Sequence, residues 1–132
     1  MSATSTTKGK VGERDLAAHI RAVTGWDVQR RCRQHAGDSD LEGVPRWSVE
    51  SKRHKAATRS VIAGWWRQTV MQASKGGLLP VLFYRRDRDT WRAVWPAAVT
   101  LGVQHADMWT EYQWTVEGSI EAWAAVAREA VA

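Results

Sequence analysis

Apolar positions recur at helical spacing from Val11 to Val23, where Leu16, Ala17, Ile20 and Val23 form one stripe. Glu13 stands three residues before Leu16 and falls on that same stripe. A carboxylate there is costly unless it is paired or meets a cation. It also suits a plain first-turn acid favoured by the helix dipole, and both readings stay open. Val28, Arg30 and Cys32 then alternate as a strand, with Cys32 a small buried residue. In Trp47–Lys52 the alternation puts Ser48, Glu50 and Lys52 on one face and Trp47, Val49 and Ser51 on the other. Residues 56–75 predict a helix with Ile62, Trp65, Trp66, Thr69 and Ala73 on one face, stopped by Gly76-Gly77. Leu79–Tyr84 is a nearly all-apolar, buried strand. Strand, helix and buried strand make the right-handed crossover unit of a mixed α/β sheet.

Further on, Trp91, Ala93 and Trp95 share strand parity, and Met108–Val116 alternates as a strand that Glu117-Gly118 breaks. From Ser119 an alanine-rich helix carries Ile120, Trp123, Ala124 and Ala127 along one stripe, suited to cover the sheet or to pair two subunits. The expected fold is α/β, a central mixed sheet flanked by the first helix and the long middle helix. The 132 residues fit one domain, 9–132, behind a polar, disordered tail at 1–8. Its core is 9–96, and the last strand and helix occupy 108–131.

Charge narrows the partner. A formal charge of +5 and a pI near 9.9 suit a polyanion. The single cysteine excludes an internal disulfide and a cysteine-based zinc finger. His19, His35, His54 and His105 are scattered, which argues against a zinc hydrolase or an HNH-type nuclease. GKVGER lacks the spacing of a phosphate-binding loop, and no Gly-x-Ser-x-Gly or Cys-His arrangement suggests nucleophilic catalysis. Without a membrane-length apolar run or a signal-peptide core, the expected home is the cytoplasm of a bacterium or phage-infected cell. Nine tryptophans accompany one phenylalanine. Most are expected to anchor the core or a dimer rather than to stack on bases. Trp65 and Trp66 are adjacent, so at most one can point to the centre of the core.

The chemistry concentrates in GDSDLEGVPRWSVESK, where Asp40 is followed ten residues later by Glu50-Ser51-Lys52. Two carboxylates at the ends of neighbouring strands can share a Mg²⁺ that activates water and neutralises a scissile phosphate. Lys52 emerges beside Glu50, able to meet the attacking water or the phosphate. Arg30, Arg31 and Arg33 precede the acids; Arg53, His54, Lys55, Arg85, Arg86 and Arg88 follow them. With Glu13 in a first helix, Gln68 and Gln72 on the middle helix and the run PVLFYRRDR, the chain resembles the PD-(D/E)xK nuclease superfamily. Within it, the chain is similar to small archaeal and phage Holliday junction resolvases and related phage endonucleases, over about residues 9–96.

The resemblance implies a restriction-endonuclease-like sheet with Glu13, Asp40 and Glu50 as metal ligands and Lys52 as a catalytic group. It also implies a Mg²⁺ (or Mn²⁺) cofactor and a homodimer acting on branched DNA. The Ser51 carbonyl is a candidate fourth ligand. Arg30, Arg31, Arg33, Arg53, Lys55, Arg85 and Arg86 are candidate DNA contacts. Gln68 either joins them or is an ordinary exposed helix residue. The chain departs from the family pattern at Ser39, where many members have proline, and Asp38 offers a competing carboxylate. Asp40 is preferred because Leu41 follows directly and Gly43 permits the turn into the next strand. The rivals are a nickase or repair endonuclease on linear or damaged duplex and a non-catalytic DNA-binding protein of the same fold. Carboxylates in a basic groove repel phosphate, which argues against the last.

Overall fold

The structure, a computed structural model, describes residues 3–31, 39–102 and 110–131. Cys32, Arg33, His35, Asp38 and His105, and the head of the expected strand at 108–109, lie outside the described residues. Helix α1 spans Ala3–Thr24, so its backbone turns helical well ahead of Val11. Short strands β1 (Gln29–Arg30) and β2 (Leu41–Glu42) lead to β3 (Trp47–His54), then helix α2 (Arg59–Lys75) and β4 (Leu79–Arg86). The chain continues as β5 (Arg92–Pro96), a short α3 (Ala97–Leu101), a 3-10 turn at Tyr112–Trp114, β6 (Thr115–Gly118) and α4 (Ile120–Val131).

The six strands stand in sequence order in one mixed sheet. All neighbours are antiparallel except β3 and β4. That pair is parallel because α2 carries the chain back across the sheet, as the strand–helix–strand pattern requires. α1 and α4 cover one face, where Leu16, Ile20, Ile120 and Trp123 pack with Trp47, Val49, Val81, Phe83, Ala93 and Trp95. α2 covers the other, where Ile62 and Trp66 meet Leu82, Tyr84 and Val94. β4 is thus buried on both sides, which explains its unbroken apolar sequence. Trp123 sits edge-on to both Trp47 (5.7 Å) and Phe83 (5.0 Å), the favoured aromatic geometry. Trp47, Trp66, Trp91, Trp95 and Trp123 are all buried. Among the described residues, no helix is long and apolar enough to cross a membrane.

Two boundaries differ from expectation. α2 starts at Arg59 rather than 56, because the Thr58 side chain accepts the Val61 N–H and caps the helix there. Among the described residues of the expected strand, 110–114 are not part of it, and the last strand is Thr115–Gly118. Tyr112–Trp114 coils instead, closed by bonds from Trp114 N–H to Glu111 O (2.9 Å) and from Thr115 Oγ1 to Tyr112 O (2.6 Å). Glu117-Gly118 continues the strand, and Gly118 pairs with Ala93. A Cβ at Gly118 would lie 3.2 Å from the Trp95 ring, so this glycine admits a neighbouring tryptophan rather than ending a strand. Gly43 does serve the turn between β2 and β3. Its φ is +94°, and a Cβ there would sit 2.1 Å from Asp27 O.

Candidate active site

Asp40 lies one residue before β2, and the backbone on both sides holds it. Its N–H donates to Val49 O (2.9 Å), and its carbonyl accepts from Arg31 N–H (3.0 Å). These bonds aim its carboxylate at β3, where Oδ2 accepts the Ser51 N–H (2.8 Å) and lies 3.3 Å from Ser51 Oγ. The Asp40 and Glu50 carboxyl groups lie close enough for each to shift the other's protonation. Along β3, Glu50 is registered with Leu82 and Lys52 with Tyr84. Both β4 residues belong to the cluster under α2, while Trp47 and Val49 face α1 and α4. The period-2 alternation therefore holds from Trp47 through Lys52.

The electrostatics match two acids sharing a confined place. Burial pushes the Asp40 carboxyl above its ordinary range, opposed by the Ser51 N–H and the Lys52 charge. Glu50 is pushed up to about 8, first by burial and next by the charge of Asp40; Lys52 pulls it down and Glu13 raises it further. Carboxylates brought together against their own repulsion suit a hard divalent cation, which takes oxygen ligands and cancels that repulsion. Among the described residues, however, no three His, Cys, Asp or Glu side chains are grouped so that they could hold a metal. Asp40 and Glu50 are the joined pair.

Glu13 takes the inward place that its helical phase predicts, and its charge reaches Glu50. Its Oε2 accepts from Arg30 Nε at 3.0 Å, both side chains being only 18% exposed. Arg30, read from the sequence as a phosphate contact, here serves as the counter-ion of Glu13. Arg31 braces the turn, donating from Nε to Ser39 O (3.0 Å), and its Nη1 lies 3.4 Å from Glu42. Arg53 and Arg85 are registered side by side. Arg53 lies 3.8 Å from Asp87 and Arg85 3.3 Å from Asp15. Arg86 donates to Ala57 O (2.7 Å), while Lys55 and Gln68 are exposed. Gln68 stands outside the buried α2 face of Ile62, Trp66, Thr69 and Ala73.

Asp15 escaped the sequence reading. Its Oδ2 accepts from both Arg85 Nη1 (3.3 Å) and Trp91 Nε1 (3.0 Å), tying α1 to β4 and to the start of β5. No local pattern announces it, because its partners lie 70 and 76 residues away.

Comparison with known proteins follows the same lines. No curated protein matches the sequence. In structure the chain is similar to Hjc, a Holliday junction resolvase from the archaeal hyperthermophile Archaeoglobus fulgidus. The TM-score is 0.50 at 16% identity, over 92% of this chain and 96% of that one. At that identity the likeness shows the shared fold, a mixed sheet flanked by helices. The family model described as phage putative PDDEXK endonuclease matches residues 4–126, which include Glu13, Asp40, Glu50 and Lys52. With Asp40 just ahead of β2 and Glu50 and Lys52 on the adjoining β3, the chain belongs to this family of phage endonucleases.

Proposed function

We propose that this nuclease hydrolyses DNA phosphodiester bonds with Mg²⁺ or Mn²⁺, acts selectively on branched DNA and works as a homodimer in the cytoplasm. The observation that carries the reading is the half-buried Asp40–Glu50 pair, with Lys52 two residues on along the same face of β3. Asp40, Glu50 and the Ser51 carbonyl would hold the cation, with Glu13 as the third acid. When bound, it supplies Lewis-acid activation of water and neutralises charge on the phosphate. Ser51 fixes the Asp40 carboxylate through its N–H. The Lys52 ammonium orients the water or stabilises the pentacoordinate phosphate. Arg31, Arg33, Arg53, Lys55, Arg85 and Arg86 contact the phosphate backbone, with Gln68 on the flank.

Branch selectivity is supported by the fold shared with a protein named as a Holliday junction resolvase. Resolving a four-way junction takes two symmetric nicks, and one site makes one nick. A closed two-fold dimer is the smallest assembly that supplies both. The test is cleavage of a four-way junction, a splayed arm and a linear duplex, each with Mg²⁺, Mn²⁺ or EDTA, alongside light scattering. Paired cuts on opposing junction strands by a metal-dependent dimer are expected. A monomer nicking linear duplex as readily as a junction would overturn the branched-DNA part. Cutting that persists in EDTA would overturn the metal.

A further inference from the structure

Beyond Lys52 the same face of β3 continues to His54, which is exposed and registered with Arg86. Trp65 of α2 leans over this end of the sheet. Its ring centroid is 6.1 Å from that of His54, tilted 60°, and 6.3 Å from that of Tyr84, tilted 44°. The core position belongs to its neighbour Trp66, which is fully buried and donates from Nε1 to Thr110 O (2.7 Å). Consecutive helix residues point about 100° apart, so Trp65 is left half-buried at the margin. Tyr84 forms the floor, its hydroxyl donating to Glu117 Oε1 (2.8 Å). The Arg86 guanidinium lies 5.5 Å from the Tyr84 ring centroid. His54 Nδ1 lies 2.8 Å from Ala56 O and 3.0 Å from Ala56 N, which orients the imidazole, and Lys55 and Arg59 are exposed close by in the chain. An aromatic shelf with cations near it thus ends the strand that carries Glu50 and Lys52.

We propose that Trp65, with His54, is a stacking platform for one unpaired nucleobase beside the scissile phosphate. The substrate class is then DNA with an unpaired nucleotide within one or two positions of the cut. This rests on the nuclease reading above. His54 follows Lys52 by two residues, about 7 Å along the strand, which is about two base-stacking rises. A base in continuous duplex has both faces covered by its neighbours, so only one that has left the stack can lie on an indole. Cations alone hold the backbone and are indifferent to whether a base is present. An aromatic face adds a term that needs the base itself but not its identity.

The test compares binding of the full chain, by anisotropy in EDTA, to a duplex with a one-base bulge, the same bulge made abasic, a four-way junction and plain duplex. The wild type should bind the bulge about tenfold more tightly than its abasic counterpart. Trp65→Leu should bind both at the abasic affinity, and Trp65→Phe should recover part of the preference. A 2-aminopurine in the bulge should be quenched on wild-type binding. Quenching confined to bulge and junction supports the platform, with the unpaired base supplied by the branch. Equal wild-type affinity for base and abasic bulges, or an unquenched probe, overturns the proposal without requiring any variant to fold. Loss of the dimer in Trp65→Leu with base preference unchanged also overturns it and makes this tryptophan a subunit contact. Failure to cut any DNA with Mg²⁺ or Mn²⁺ would remove the nuclease reading, whereas cutting without base dependence would remove the platform alone.

Discussion

Glu50→Gln should abolish cleavage and yet make the metal-free protein more stable, increasingly so as pH rises. The folded carboxyl is raised from the ordinary 4.5 to about 8 by burial and by Asp40. Between those values the folded state holds a proton that the unfolded state has released, so stability falls with rising pH across the window. Glu50's favourable contribution is whole below about pH 4.5 and is lost as pH passes through about 8. At about 1.4 kcal/mol per pKa unit, the full shift sets a ceiling of about 5 kcal/mol. Glu50 is partly exposed and the charge of Lys52 is at hand, so solvent screening brings the expected gain of the glutamine variant nearer about 2 kcal/mol. That is a rise of about 8 °C in Tm for a chain of this length. Glutamine keeps the shape and can still donate to Asp40, so packing should not confound the comparison. Thermal and urea unfolding in EDTA at pH 5, 7 and 9 would measure it, with the gap small at pH 5 and widest at pH 9. Adding Mg²⁺ at pH 8 should then stabilise the wild type more than the variant. A variant no more stable than wild type at pH 9, or a gap that does not change with pH, would refute a Glu50 carboxyl raised by burial and by Asp40.

Other substitutions probe the rest of the site. Lys52→Ala should abolish cleavage while leaving metal-free DNA affinity within a fewfold, measured by gel assay and anisotropy on the same junction. Arg30→Ala removes the cation held against the largely buried Glu13 carboxylate and should cost about 2 kcal/mol in urea unfolding, part of which Glu13→Gln should restore. Gly43→Ala forces a Cβ into Asp27 O and should cost about 3 kcal/mol, with loss of activity as Asp40 leaves β3. Arg31→Ala should weaken binding equally across sequences and lower the salt slope by about one unit; a changed sequence preference at constant slope would refute backbone recognition there.

The features legible in the sequence were those decided by backbone period. Strand parity was enough to set Glu50 and Lys52 on one face against Trp47 and Val49, and helical phase was enough to turn Glu13 inward beside Leu16 and Ile20. The helix between two strands fixed the one parallel pair, because a parallel ladder needs a crossover of that length. Errors arose where a residue type has two uses. Gly118 has the look of a strand breaker, yet in β6 its missing Cβ makes room for Trp95. Thr58 looks like one more residue of a helix that it in fact caps.

The charges were harder to read, for a different reason. An arginine next to acids in a basic chain fits a phosphate contact equally well whether its guanidinium faces DNA or a carboxylate 17 residues back, and Arg30 faces Glu13. The same holds for Asp15, which gains its role only when α1 lies across β4 and β5 and brings Arg85 and Trp91 to it. Period specifies which face a side chain takes, and the opposing element specifies what that side chain does. A cation's role therefore becomes readable only after the sheet has closed, and in this protein the result divides the arginines. Arg30 balances Glu13, whose charge reaches Glu50, whereas Arg53 and Arg85, registered side by side, are held by Asp87 and Asp15 through longer ion pairs. Under the proposed DNA reading, a phosphate would displace the longer pairs of Arg53 and Arg85 at less cost than the short pair of Arg30.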